Sequence, residues 1–358
     1  MHILVTNYLL EEFLLKHDQS ALKKWWLATR YHYVPPSMFP VVIASLVSWA
    51  NEMSFSAWFF SVVFVTVIIN HIALNMTDDY FDYKHAVDHQ KQAEKNPYTG
   101  GSGVLTSGLI KPRKIAIVFS ILYIFVIISG FYLAAERGWI VLLFGLIGLA
   151  SSIFYTAPPV KFSHHGLGEV TMLLNFGPVL GLGAYFVQTQ SLNWEVFIAT
   201  LPCGIMLFSL IVLNEIPDHS EDIQAGKLTL VARYGKQKGL NLYIIGWSTT
   251  YCVIIFGVLS MLLPSFVLFA FISLPWIIRS IYTGKNQLNN QKNFTDANLD
   301  NIKGNALTNL GLITGYSLSG FYTIASLDAL FIVLSLFVLF YLPAVIPVFL
   351  AKSKPRKK

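Results

Sequence analysis

Residues 57–88 read AWFFSVVFVTVIINHIALNMTDDYFDYKHAVD. The run from 57 to 74 is almost wholly apolar, and a helix of about 20 such residues crosses the hydrocarbon core of a bilayer. Within one further turn it changes to Asp78, Asp79 and Asp82. A membrane interior leaves no water for unpaired backbone groups, so an apolar run of this length is a helix. A membrane-spanning helix that ends in a carboxylate-bearing face is the unit from which the fold class follows: all-α, a polytopic transmembrane bundle around a central cavity.

The rest of the chain repeats the apolar part. Of 358 residues, 54% are apolar and 12% are Asp, Glu, Lys or Arg, about half the charged share of a soluble domain. The mean hydropathy is +0.57. Such a chain cannot cover a water-facing surface, which excludes a disordered protein, a coiled coil and a soluble nucleic-acid binder. The 27 Phe, 17 Tyr and 8 Trp suit a bilayer and its interfaces. Cys203 and Cys252 are the only cysteines, so neither a disulfide framework nor a thiolate metal site is implied.

Ten spans are expected: 25–50, 57–78, 112–134, 138–156, 166–187, 193–214, 239–262, 265–283, 304–326 and 328–350. Pro35, Pro36 and Pro40 predict a kink near the start of the first. The ninth is polar on one face. Residues 1–24 form an N-terminal cytoplasmic or interfacial segment, 25–326 the main transmembrane domain, 327–350 an additional helix and 351–358 a basic tail. With ten spans, every one of the 25 Lys and Arg except Arg137 falls on one side. Basic residues collect in cytoplasmic segments, so both termini are expected there, in a cell (inner) membrane. The net charge of +6 then belongs to loops facing an anionic leaflet; no nucleic-acid partner is implied.

The carboxylates are concentrated on that same side. Asp78, Asp79, Asp82, Asp88 and Glu94 fill one window; Glu215, Asp218, Glu221 and Asp222 fill another. On a helix Asn75, Asp79 and Asp82 point within about 60° of one another, with His71 and Asp78 bordering that face. In NEIPDHSEDIQAGK, Asn214, Asp218 and Asp222 recur at four-residue steps. Two helix ends thus carry the same arrangement, an Asn followed by carboxylates. Like charges on one face repel, and divalent cations would relieve this. All-oxygen ligands suit Mg²⁺, which completes its shell with water and substrate phosphate. Two such ends facing each other would hold a diphosphate.

Other residues on this side are candidates of lower specificity. Tyr155 and Lys161 in YTAPPVKFSHHGLGE could reach phosphate, although snorkelling explains such a lysine equally well. Lys227 follows the second cluster in a tight AGK turn, and Arg30 sits at the mouth of the first span. GGSG at 100–103 reads as an anion nest or as a linker. His164 and His165 have no carboxylate or Cys at metal-site spacing. Asn175 is an intramembrane polar group, a functional candidate or a helix–helix hydrogen bond. Gly177 and Gly181 suit close helix packing.

The two acidic stretches, NMTDDYFDYKHAVD and NEIPDHSEDIQAGKLTLVARYG, together resemble the UbiA-type intramembrane aromatic prenyltransferases, over about residues 25–325. GVLTSGLIKPRK, YTAPPVKFSHHGLGE and FGPVLGLGAYFVQT look most like the branch that prenylates 1,4-dihydroxy-2-naphthoate for menaquinone. Met76 and Tyr83 stand where the ubiquinone branch has Asp. Glu215 and Pro217 depart from the Asn and Arg common in the menaquinone branch. The resemblance implies nine family-like spans plus a tenth, and Mg²⁺-dependent transfer of a polyprenyl group from polyprenyl diphosphate to an aromatic acceptor, coupled in that branch to loss of a carboxylate. Asp79, Asp82, Asp218, Asp222, Lys161 and Tyr155 would be catalytic. Asn75, Asp79, Asp82, Asn214, Asp218 and Asp222 would hold the metal. Arg30, Lys161, Lys227 and Tyr155 would bind the diphosphate, with Asp78, Glu221 and His71 behind them. The alternatives are another acceptor (4-hydroxybenzoate, homogentisate, a chlorin or an isoprenoid glyceryl phosphate) or, from a different class, a membrane transporter.

Overall fold

The structure, a computed structural model, describes residues 20–52, 54–85, 101–288 and 291–324. Among these every regular element is helical, as the composition requires. Helix α1 (Ala21–Ala28) leads through a 3-10 turn at Tyr31–Tyr33 into α2 (Pro35–Glu52), and the two meet at 54°. Pro35 and Pro36 lack N–H donors and have fixed φ, so a helix starts there readily but does not run through. This is the expected kink, and Arg30 lies within it in left-handed backbone (φ 48°).

Helix α3 (Ala57–Lys84) begins where the Ser56 hydroxyl accepts from Phe59 N–H. It runs on past the apolar part, so the first acidic cluster is helical. Next come α4 (Pro112–Arg137) and α5 (Ile140–Phe154). The following span is divided into α6 (Gly168–Leu174), a π-helical turn at Asn175–Val179, and α7 (Leu180–Thr189). Pro178 lies in that turn; its missing N–H and bulky ring disrupt α-helical bonding, and the wider turn accommodates it. Helix α8 (Trp194–Gln224) carries the second acidic cluster on its last turns. Helices α9 (Leu230–Tyr234) and α10 (Lys236–Leu259), a 3-10 stretch at Ser265–Ser273, α11 (Leu274–Asn286) and α12 (Gln291–Ile324) complete the described chain.

Among the described residues, six helical stretches are long and apolar enough to cross a membrane: α3, α4, α6 with α7, α8, α10, and the 3-10 stretch with α11. The bent α1–α2 pair makes a seventh. Helix α5 lies where a span was expected and is apolar, but has only 15 residues. Helix α12 occupies the ninth position, yet buries Asn298, Asp300, Asn301, Asn305 and Asn309. The expected span at 328–350, the first 19 residues and the basic tail lie outside the described residues.

Helix α2 is central, with Val41, Ile43, Ala44 and Val47 fully buried, and it packs against α7, α12, α8 and α3. The outer helix α4 instead exposes Ile117, Ile121, Ile124, Ile128 and Phe131. In water that face would invite aggregation; in a bilayer it meets lipid. Backbones come close where α6–α7 crosses α8. A Cβ on Gly177 would lie 3.0 Å from both Gly204 N and Thr200 O, and one on Gly204 would collide with the Leu173 carbonyl. Small residues make this approach possible. It sets the loop before α6 beside the loop after α8.

Candidate active site

The last turns of α3 place Asn75, Asp79 and Asp82 on one face, all buried. Buried carboxylates need partners, and the bend in the first span supplies one. Arg30 Nη1 donates to Asp78 Oδ2 at 3.0 Å and to Asp79 Oδ1 at 3.1 Å. Asn75 Nδ2 donates to the Thr29 carbonyl at 3.1 Å, which ties the bend to α3. The 101–103 loop does act as an anion nest, and its anion is Asp79: Ser102 N–H lies 3.2 and 3.1 Å from the two carboxylate oxygens. Thr156 Oγ1 donates to Asp78 Oδ1 at 2.6 Å.

Lys227 connects the two acidic ends. Its ammonium donates to Asp82 Oδ2 at 3.2 Å, while its backbone N–H donates to the Asp222 carbonyl at 2.8 Å. Burial alone would depress the Lys227 ammonium. The carboxylates of Asp82, Asp78 and Asp222 outweigh burial and hold its pKa well above the ordinary lysine value, so it stays a cation. The turn that presents it is fixed from below, where Glu169 Oε1 accepts from Leu230 N–H at 2.6 Å. Asp222 is buried and Asp218 and Glu221 are half-buried on the same helix end.

The remaining expected residues fall into two groups. Tyr155 packs its ring among Leu74, Met172, Phe176 and Leu207 and lies close enough to Asp78 and Lys227 to feel their charges. Lys161 adopts left-handed backbone (φ 49°) and sets its Nζ 3.0 Å from His85 Nε2. The other group sits apart from the carboxylates. His71 packs edge-on against Phe176, with centroids 5.0 Å apart. Asn214 differs from Asn75 in its contact: its Oδ1 accepts from Asn298 Nδ2 on α12 at 2.6 Å. Asn175 Nδ2 donates to Ser151 on α5 at 2.9 Å, a helix–helix hydrogen bond.

Sequence spacing missed the contacts of Thr156, Glu169 and His85. Each acts across a large sequence separation, and none stands in a periodic pattern with its partner.

The profile of the UbiA prenyltransferase family matches residues 37–302, which include both acidic helix ends. The chain belongs to the UbiA prenyltransferase family. It is a prenyltransferase and an integral membrane protein. It is 24% identical over 260 residues to the 1,4-dihydroxy-2-naphthoate octaprenyltransferase of Bacillus subtilis (strain 168), covering 72% of this chain and 80% of that one. It is 26% identical over 270 residues to the 2-carboxy-1,4-naphthoquinone phytyltransferase of Synechocystis sp. (strain ATCC 27184 / PCC 6803 / Kazusa), covering 73% and 82% respectively. The UbiA fold is matched by the solved structure of a UbiA homolog from Archaeoglobus fulgidus bound to GPP and Mg²⁺. That match has TM-score 0.62 and 12% identity, and covers 85% of this chain and all of the other.

Proposed function

We propose that this UbiA-family protein transfers a polyprenyl group from polyprenyl diphosphate to 1,4-dihydroxy-2-naphthoate, with Mg²⁺, in the cell membrane and with both termini cytoplasmic. The observation that carries the reading is the pair of acidic helix ends joined by Lys227 and faced by Arg30. Carboxylates and cations alternate there, as a metal–diphosphate complex needs. The naphthoate acceptor is favoured by relatives named for naphthoate or naphthoquinone prenylation.

The donor set fits Mg²⁺. Its groups are carboxylate and amide oxygens, with no thiolate or imidazole among the residues named for it. That combination suits a hard cation that shares its shell with water and phosphate. Asp79, Asp82, Asp218 and Asp222, helped by Asn75, would hold it. When bound, Mg²⁺ offsets the charge that develops on the leaving diphosphate.

Arg30, Lys227 and Lys161 are placed to take the phosphate oxygens. Arg30 and Lys227 exchange their carboxylate contacts for phosphate ones as the diphosphate arrives. Rupture of the allylic C–O bond sends the electron pair to the diphosphate; the ring carbon of the acceptor that bears the carboxylate attacks the allylic carbon, and loss of that carboxylate as CO2 returns its bonding pair to the ring and restores aromaticity. Tyr155 and Phe176, with Leu74, Met172 and Leu207, form an apolar wall beside the charged groups, where aromatic faces stabilise a nearby cation and keep water from it.

Asp79→Ala or Asp218→Ala is expected to abolish Mg²⁺-dependent transfer of labelled polyprenyl while the protein still inserts; full activity in either variant sinks the assignment. The acceptor is decided by mass spectrometry of products from a panel containing 1,4-dihydroxy-2-naphthoate, 4-hydroxybenzoate, homogentisate, a chlorin and an isoprenoid glyceryl phosphate. Prenylation of another acceptor in preference to the naphthoate would correct that part alone.

A further inference from the structure

Two imidazoles stand beside the carboxylates and have no part in the steps above. His85 is the C-cap residue of α3, three residues past Asp82, and continues the stripe of Asp78 and Asp82 outward. His164 ends the 3-10 turn Phe162–His164 and is buried. The rings are 5.6 Å apart and nearly perpendicular. The His164 carbonyl accepts from Leu228 N–H at 3.2 Å, which binds this turn to the loop carrying Lys227.

The hydrogen bonds decide where the protons are. Lys161 Nζ contacts His85 Nε2, and an ammonium can only donate. Nε2 is therefore the acceptor, and the proton of the neutral ring is on Nδ1. That Nδ1 is buried without a hydrogen-bond partner. In His164, Nδ1 lies 3.2 Å from Ser163 Oγ, whose hydroxyl can donate to it and leave the ring proton on Nε2; among the described residues Nε2 is buried without a partner. Burial first, then Lys227 and Lys161, lower the His164 pKa to about 4; burial first, then Lys161 and Lys84, lower that of His85. Both rings are neutral at neutral pH. A buried N–H without an acceptor is costly, and here two ring nitrogens without partners lie beside two ammonium groups. An anion with several oxygens would satisfy all of them.

We propose that His85 and His164 hydrogen-bond the terminal phosphate of the diphosphate, forming with Lys161 an outer recognition point beyond Arg30 and Lys227. This deepens the functional reading above and rests on it. The same oxygens are offered by the diphosphate of the donor substrate and by released pyrophosphate, and the two arms of the test separate these sources.

The test uses the full-length protein in detergent. In one arm, calorimetry measures binding of inorganic pyrophosphate with Mg²⁺. In the other, steady-state kinetics give KM for polyprenyl diphosphate and, separately, for the acceptor. His164→Phe keeps the ring contact and removes the donor; it is expected to weaken pyrophosphate binding and raise KM for polyprenyl diphosphate about tenfold, the loss expected for a hydrogen bond to a charged group, with KM for the acceptor unchanged. His164→Gln, which returns an N–H near Nε2, should recover most of the loss. His85→Phe and His85→Asn form the matching pair at Nδ1, should His164→Phe not fold. A change in only one arm assigns the contact to that ligand. The proposal is overturned if folded His164→Phe and His85→Phe match wild type in both arms, or if the amide variants are as impaired as the Phe variants. Wild-type protein that binds neither pyrophosphate nor polyprenyl diphosphate with Mg²⁺ overturns the functional reading as well.

Discussion

Arg30 holds two carboxylates from a left-handed backbone position, one that residues other than glycine rarely occupy and that commonly marks functional strain. Its position in the sequence shows a cation near the first span; it does not show the contact, which depends on the proline bend. The stripe Asn75–Asp79–Asp82 was legible because helical spacing alone defines it. For Asn214, spacing alone does not reveal the Asn298 side chain on α12 that donates to its oxygen. On the proposed reading, Arg30→Gln should raise KM for polyprenyl diphosphate about tenfold or more, the usual loss for a charged hydrogen bond, with little change in KM for the acceptor; steady-state kinetics check this. His164 gives a pH signature. Its folded pKa of about 4 lies below the ordinary histidine value near 6.5, so in that interval the unfolded chain binds more protons. Stability is therefore fully present above about pH 6.5 and is lost as pH falls toward 4. Melting curves across this window should show a shallower decline in His164→Gln than in wild type.

At the level of elements, hydropathy located the helices well but not their ends or interruptions. Helix α3 continues past its apolar run through acidic turns that pair with Arg30 and Lys227, a tertiary fact, and α8 also runs on through its own acidic turns. The π-helical turn at Asn175–Val179 was foreshadowed only by Pro178. Helix α12 was the least apolar expected span, and its polar face has a specific use: Asn301 Oδ1 accepts from Trp247 Nε1 at 2.9 Å and from the Tyr243 hydroxyl at 3.3 Å, while Arg279 pairs with Asp300. Asn301→Leu leaves the buried Trp247 N–H without this acceptor, while the Tyr243 hydroxyl keeps Ser280 Oγ at 2.7 Å; it should cost about 1–3 kcal/mol, seen as a lower melting temperature. Gly204→Leu pushes a side chain into the Leu173 carbonyl of α6. A forced fit of this kind costs about 1–3 kcal/mol or more, and because α6 supports Glu169 and the Lys227 turn, activity should fall with folded yield. Normal yield and activity in Gly204→Leu would contradict the observed closeness of the two backbones.

For the molecule as a whole, the two acid clusters were legible as windows of charge in an apolar chain, and Asp78, Asp82 and Asp222 all lie near enough to Lys227 to act on it. The span count was less legible. Helix α5 is apolar but short and leaves Leu142, Leu143, Leu146 and Ile147 exposed, whereas α12 is long and buried but polar, so length and hydropathy disagree on each. The pairing of Asp78 and Asp79 with Arg30, and of Asp82 with Lys227, has a consequence for assembly. Buried ions that lack partners are severely destabilising, so a centre made of carboxylates alone would need its metal before the helices could close. This chain brings its own counter-ions. Chelation with EDTA should therefore stop transfer yet leave the melting temperature in detergent essentially unchanged. Unfolding on chelation would show that the internal cations do not suffice. On the proposed reading, biogenesis and cofactor loading are then separate events: the bundle would be inserted, completed and stored without metal, and charged later wherever Mg²⁺ and the isoprenoid substrate meet.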